Sequence, residues 1–256
     1  MTRSEFLPTV EVSAEDVLAI IRDRYRHAEQ LDLEAEQGID LTFESSVEEW
    51  RQSCDLLPFT ELWPALNSWF GVTFPAFEWR TVLEPAETKK LGGVCTLIAT
   101  RATRPTIRPF PVAGIECRSA GTFLVIRSLL ASAGVPVQNI RPSTPLADYA
   151  REYADIFVAE VGKLAPGALP VPQVEHSLAY KASISSLCAG FAVVIPAFKW
   201  HVLFAAEIIL LSVGFAGAWI TSKFPPKAVT FGKLVTFADL AKAVLQTETA
   251  DPTRQD

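Results

Sequence analysis

The stretch Cys188–Ile220, CAGFAVVIPAFKWHVLFAAEIILLSVGFAGAWI, carries only two charges, Lys199 and Glu207. A membrane-crossing helix needs about 20 apolar residues, with a range of roughly 17–25. Val202–Ile220 supplies nineteen with Glu207 as its one charge, and Ala182–Phe198 supplies seventeen with none. Only Lys199, Trp200 and His201 separate the two runs, so two spans would form a tight antiparallel hairpin. Tyr180 and Trp219 would stand at one bilayer interface and Trp200 at the other. Ala189, Gly190, Gly214 and Gly217 would let the two helices approach closely. Glu207 falls near the tip rather than the midplane, where an acid costs less. Lys181, Lys223 and Lys227 outnumber Lys199, so the positive-inside rule puts both flanking polar parts in the cytoplasm. The competing reading is a buried hairpin at the centre of a helical domain.

Composition sets the rest of the frame. Hydrophobic residues make up 49% and charged residues 20%, with a mean hydropathy of +0.23. Charge is uneven: residues 1–60 hold five Lys/Arg against fourteen Asp/Glu, a balance of −9 within a total of −6. An acidic head with no cluster of Lys/Arg disfavours nucleic acid as a partner. Cys54, Cys95, Cys117 and Cys188 are far apart and lack C-x-x-C spacing, so neither a disulfide framework nor a zinc site is expected, and a reducing compartment fits. The first ten residues carry Arg3 and Glu5 without an apolar run behind them, so no signal peptide is expected.

Helix signals recur along the chain. Ser13 and Ser46 read as N-caps, and Val17, Leu18, Ile20, Ile21 and Tyr25 lie on one helical face. Glu61–Phe70 reads as a helix stopped by Gly71, and Lys90–Ala102 as another. Pro105, Pro109 and Pro111 mark an extended linker. Helices are expected over Ala120–Ala133, from Thr144–Pro145 to about Leu164, and from Thr236–Asp239 to Leu245. Val229–Phe237 holds one short strand at most. The fold class expected is therefore mainly α: small helical-bundle modules with an inserted two-helix transmembrane hairpin. Its parts are an irregular lead (1–12), an N-terminal helical module (13–104), a Pro-rich linker (105–118), the first part of a second module (119–177), the hairpin (178–224), the last part of the second module (225–246) and a polar tail (247–256).

The two polar parts share an order of features. The first runs from the Ser13 helix through Asp55-Leu56-Leu57 and ELWPALNSWFGVTFP to TKKLGGVCTLIA. The second runs from TFLVIRSLLASAGV through IRPSTPLADYA and YADIFVAEVGKLAPGALPVP to FGKLVTFADLAKAVL beyond the hairpin. This order resembles the acyl or peptidyl carrier protein fold. WFGVTFP at Trp69–Pro75 is similar to the turn that ends that family's second helix, and VTFADLAKAV at Val235–Val244 to the phrase that opens its last. The resemblance implies four-helix modules over about 13–100 and, interrupted, 119–245. Carriers bear phosphopantetheine on a serine directly after an aspartate at a helix start. Here Asp55 is followed by Leu56 and Asp148 by Tyr149, while Ser53 precedes the acid, so both copies would lack the attachment point. A generic pattern of small helical bundles explains the same order.

No reaction announces itself. His27, His176 and His201 have no i+4 ligand partner, and His27 reads as part of a charged, solvated helix face. Glu175 beside His176 is adjacency in sequence only. G-x-S-x-G, G-x-x-x-x-G-K-[ST] and G-x-G-x-x-G are absent, and Gly92-Gly93 alone does not make a phosphate cradle. The acids Glu34, Glu36, Asp40 and Glu44 lack the glycine of a calcium loop and read as a solvated face. Glu207, His201 and Lys199 read as a polar group at the hairpin tip. No catalytic residue, cofactor, metal ligand or nucleic-acid partner is expected. The expected function is a non-catalytic, membrane-anchored helical protein of the cell inner membrane, its partners the lipid bilayer and an unknown protein held at the cytoplasmic face. EEWRQ (Glu48–Gln52) and PAFEW (Pro75–Trp79) are the expected contact phrases. The alternatives are a carrier-like or lipid- or acyl-linked enzyme component, and a soluble helical protein with the hairpin as its core.

Overall fold

Ser13 caps the first helix as its sequence predicts: Asp16 N–H donates to Ser13 Oγ at 3.1 Å, and Ser13 N–H donates back to Asp16 Oδ2 at 3.3 Å. The computed structural model describes residues 8–31, 38–54, 58–175 and 228–250, with the single positions 182, 185 and 212 besides. Two compact units emerge. One comprises Met1–Leu146, Tyr153–Pro172 and Phe231–Asp256; the other comprises Ala147–Glu152 and Gln173–Thr230.

In the first unit, strand β1 (Thr9–Glu11) leads into α1 (Ala14–Leu31), α2 (Val47–Ser53), α3 (Phe59–Phe70), α4 (Ala76–Leu83) and α5 (Leu91–Ala99). Ser46 caps α2, its Oγ accepting from Glu49 N–H at 3.0 Å. Pro64 lies inside α3 as its sixth residue, where it cannot donate the helical hydrogen bond to the Thr60 carbonyl. Gly71 ends α3 at φ 65°, a left-handed cap that suits glycine. The Asn67 side chain then fastens the turn that follows. It donates to the Phe74 carbonyl at 2.8 Å, and its Oδ1 accepts from Phe74 N–H at 3.1 Å and Trp79 Nε1–H at 3.0 Å. Strand β2 (Thr103–Pro105) pairs antiparallel with β1, so the expected lead and linker are both partly sheet.

The chain continues through the hairpin β3 (Phe110–Val112) and β4 (Ile115–Cys117) into α6 (Arg118–Ser132) and α7 (Leu146–Leu164). Thr144 does not cap α7. Pro145 takes that place, and Thr144 Oγ1 accepts from Arg141 N–H at 2.8 Å. Helix α8 (Phe237–Ala250) opens on the expected box: Thr236 N–H and Oγ1 both donate to Asp239 Oδ2, at 3.0 and 2.9 Å. In the second unit, β6 (Ala228–Thr230) pairs antiparallel with β5 (Gln173–Glu175); one short strand was legible near Val229, and its partner was not.

The two halves of the chain repeat each other in detail. In the first half Val47 N–H donates to Lys89 O (2.9 Å), Leu91 N–H to Ser45 O (2.9 Å) and Gly92 N–H to Phe43 O (3.0 Å). In the second, Leu146 N–H donates to Val235 O (2.8 Å), Phe237 N–H to Thr144 O (3.2 Å) and Ala238 N–H to Pro142 O (2.8 Å). Each set threads the start of the last helix under the loop that precedes the second. Buried side chains match as well. Val17, Leu18, Ile20, Ile21 and Tyr25 of α1 recur at the same intervals as Thr122, Phe123, Val125, Ile126 and Leu130 of α6. Leu91, Val94, Cys95 and Ile98 of α5 recur as Phe237, Leu240, Ala241 and Val244 of α8. Leu62, Leu66 and Phe70 recur as Phe157, Val161 and Ala165. Helix α5 packs on α1, and α8 on α6. Where the first half breaks between α2 and α3, α7 runs on through a non-helical Tyr153 (φ −127°, ψ 25°).

The fold class needs correction. The described chain is helical with three two-stranded antiparallel sheets, and among the described residues no helix is long and apolar enough to cross a membrane. The longest, α1 and α7, carry charges along their length, among them Asp23 and Arg26, and Asp155 and Glu160, whose transfer into lipid is costly. The expected hairpin at 178–224 lies outside the described residues apart from the three single positions. A transmembrane hairpin, a bilayer partner and an inner-membrane location are therefore unsupported.

Candidate functional site

His27 departs most from its sequence reading. Alternation with Arg22, Arg24 and Arg26 suggests a solvated face, yet the side chain is 1% exposed. A carbonyl can only accept, so the 2.6 Å contact with Asp23 O puts the proton on Nδ1. Nε2 is left buried with no partner among the described residues. Asp23 is buried too, and Arg26 Nη2 donates to Asp23 Oδ1 and to the Leu169 carbonyl, both at 2.6 Å. The face is covered because α7 crosses it: a Cβ on Gly162 would stand 3.3 Å from Asp23 Oδ2.

Other candidates resolve plainly. Asp40 is exposed and pairs with Arg22 at 3.3 Å, and Glu44 is exposed. Glu34, Glu36, His176, Lys199, His201 and Glu207 lie outside the described residues. Among the described residues no group of three His, Cys, Asp or Glu is placed to hold a metal ion. Gly92 serves packing, since a Cβ there would stand 3.1 Å from the Phe43 carbonyl oxygen. In the two contact phrases only the tryptophans are core, and Glu49, Gln52, Pro75 and Phe77 are exposed. Trp50 and Trp79 are buried, and only Phe77, 69% exposed, faces solvent as a large apolar side chain. A different apolar surface was not legible in the sequence. The β3–β4 hairpin exposes Phe110, Val112 and Ile115 on one face.

A cavity of about 580 Å³ lies among α1, α2, α3 and the last turns of α7. Leu62, Leu66 and Trp69 line it at i, i+4 and i+7, one stripe of α3. Ile21 of α1 and Trp50 of α2 complete the apolar lining. Charge gathers at the same site: Arg24 lies over the Trp69 ring at 5.6 Å, and Lys163 pairs with Glu160 at 3.0 Å. Trp69 Nε1 is buried without a hydrogen-bond partner among the described residues. A second cavity of about 530 Å³ is lined by Arg22, Asp23 and Arg26, whose charges are already satisfied by Asp40, Asp23 and Leu169.

Thiol chemistry does not turn the first cavity into a catalytic centre. Burial pushes the Cys54 thiol up, which keeps it protonated and a poor nucleophile. Cys95, inside the α1–α5 core, is pushed up to about 12 by burial. Cys117 goes the other way: the Ser119 hydroxyl, 3.2 Å from its sulfur, and the Ala120 N–H hold its thiol below the ordinary value. The arrangement as a whole can bind and orient. Among the described residues it offers no nucleophile paired with a base.

Comparison with protein-family models, with curated proteins and with solved structures finds no match to this chain.

Proposed function

We propose that the protein is a non-catalytic binding component built from two carrier-protein-like helical modules, neither able to carry phosphopantetheine. The observation that carries this reading is the repeated threading of α5 and α8 beneath the preceding loops, with buried positions in register between the halves. That repetition supports taking the phrases at Trp69–Pro75 and Val235–Val244 as parts of two equivalent modules. Neither module has a serine directly after its aspartate, since Leu56 and Tyr149 stand there. Treatment of the full chain with a broad-specificity phosphopantetheinyl transferase and coenzyme A is expected to leave its intact mass unchanged. A pantetheine adduct on any serine overturns the reading.

The exposed face of the β3–β4 hairpin favours a protein as what is held. Phe110, Val112 and Ile115, 48%, 49% and 73% exposed, form a small apolar patch on a rigid two-stranded support. Ile115→Asp is expected to leave the circular dichroism spectrum unchanged and to abolish co-purification with the partner. Undiminished co-purification excludes this face.

A further inference from the structure

The 580 Å³ cavity differs from a packing defect in two respects. Its apolar lining includes two tryptophans, Trp50 and Trp69. Among the described residues two cations, Arg24 and Lys163, stand against one acid, Glu160. Cavities of this size that combine apolar walls with a few convergent polar groups are the usual form of small-molecule sites.

We propose that this cavity binds a small acidic amphiphile, with its aliphatic or aromatic body against Leu62, Leu66 and Trp69 and its acid head toward Arg24 and Lys163. The volume limits the body. At roughly 30 Å³ for a water-sized atom, 580 Å³ admits on the order of twenty non-hydrogen atoms. The charges select the head. An incoming carboxylate or sulfonate adds a second anion to the Arg24, Lys163 and Glu160 group and brings it to neutrality, whereas an ammonium head would meet a site that already carries net positive charge. The chemistry of this cavity is the same whether or not the two modules are carrier-like, so the transferase experiment and the one below can fail separately.

Dodecanoate is a suitable probe, measured with the full chain by isothermal titration calorimetry below its micelle concentration. Binding is expected with a Kd of roughly 100 µM, typical of a ligand this small. Ala65 is exposed and lines the cavity, so Ala65→Trp fills the space without touching the core and is expected to weaken binding about tenfold or more. Arg24→Glu, also at an exposed position, is expected to weaken it by a similar factor. Dodecanol and dodecyltrimethylammonium are expected to bind at least tenfold more weakly than dodecanoate. Three results would each overturn the proposal: no heat with dodecanoate, equal affinity in Ala65→Trp, or equal affinity for dodecanol. Circular dichroism of both variants guards against misfolding, since both changes lie on exposed helical positions.

Discussion

Replacing Asn67 with alanine tests whether one side chain holds the turn after α3. The substitution removes three hydrogen bonds at once: one to the Phe74 carbonyl, one from the Phe74 N–H and one from the Trp79 indole. Phe74 and Trp79 are both buried, at 1% and 0% exposure, so water cannot freely replace the lost partner. At about 1 kcal/mol net per bond, and more where a buried group is left unsatisfied, the loss should be about 3–5 kcal/mol. Asn67→Asp keeps the acceptor for the Phe74 and Trp79 N–H groups and loses the donor, so it should fall between wild type and Asn67→Ala. Urea unfolding followed by tryptophan fluorescence measures both, as a lower midpoint at constant slope. A loss under about 1 kcal/mol for Asn67→Ala would mean that the turn holds itself by packing alone, and the account of Asn67 would be wrong.

Gly121→Ala should be costly, because a Cβ there would overlap the Arg108 backbone carbonyl where the chain crosses α6. A penalty of about 2–3 kcal/mol should lower Tm by roughly 5–10 °C in a scanning fluorescence melt. Of Cys54, Cys95 and Cys117, alkylation should modify Cys117 first as pH rises, because its thiolate appears at the lowest pH. Peptide mapping after iodoacetamide at neutral pH checks this, and Cys95 should stay unmodified until the fold opens. The carboxyl of Asp239 is held below its ordinary value first by the Thr236 hydroxyl and then by the Thr236 N–H. The stability it contributes is present above its unfolded value and is lost as pH falls through the lower folded value. Thr236→Val should move the Asp239 carbon resonance titration to higher pH in an NMR experiment.

Features coded by neighbouring residues were legible in the sequence. The Ser13, Ser46 and Thr236 caps, the Gly71 stop and the buried stripes of α1, α3 and α5 are each written within one or two turns of helix. The Pro105–Pro111 segment was legible as extended chain, and its pairing with β1 and β4 was not, because backbone partners leave no mark on composition. His27 was misread for the same reason. The helix that covers it comes from the other half of the chain, and the arginines beside it look like solvent neighbours until that helix is in place. The tryptophans of the two expected contact phrases are buried, the commoner place for a residue that large, and the phrases around them gave no sign of which side they face. The cavity was hidden altogether. Its lining comes from four separate helices, and no spacing along the chain unites them.

The threading of α8 beneath the Pro142–Thr144 loop has a consequence for synthesis on the ribosome. The first half has all its parts by residue 105, so α5 can dock on α1 as soon as both have emerged. The second half waits. Helix α6 exposes Ile126 and Leu130 until Phe237, Leu240 and Val244 arrive, with more than a hundred residues translated in between. Closing so long a loop costs entropy that no local contact offsets beforehand. For that interval the nascent chain presents one finished module and one open apolar face, the kind of surface that chaperones bind and that aggregates when left alone. A chain cut before Phe237 would be fixed in that state, with its first module intact and its second permanently unlatched.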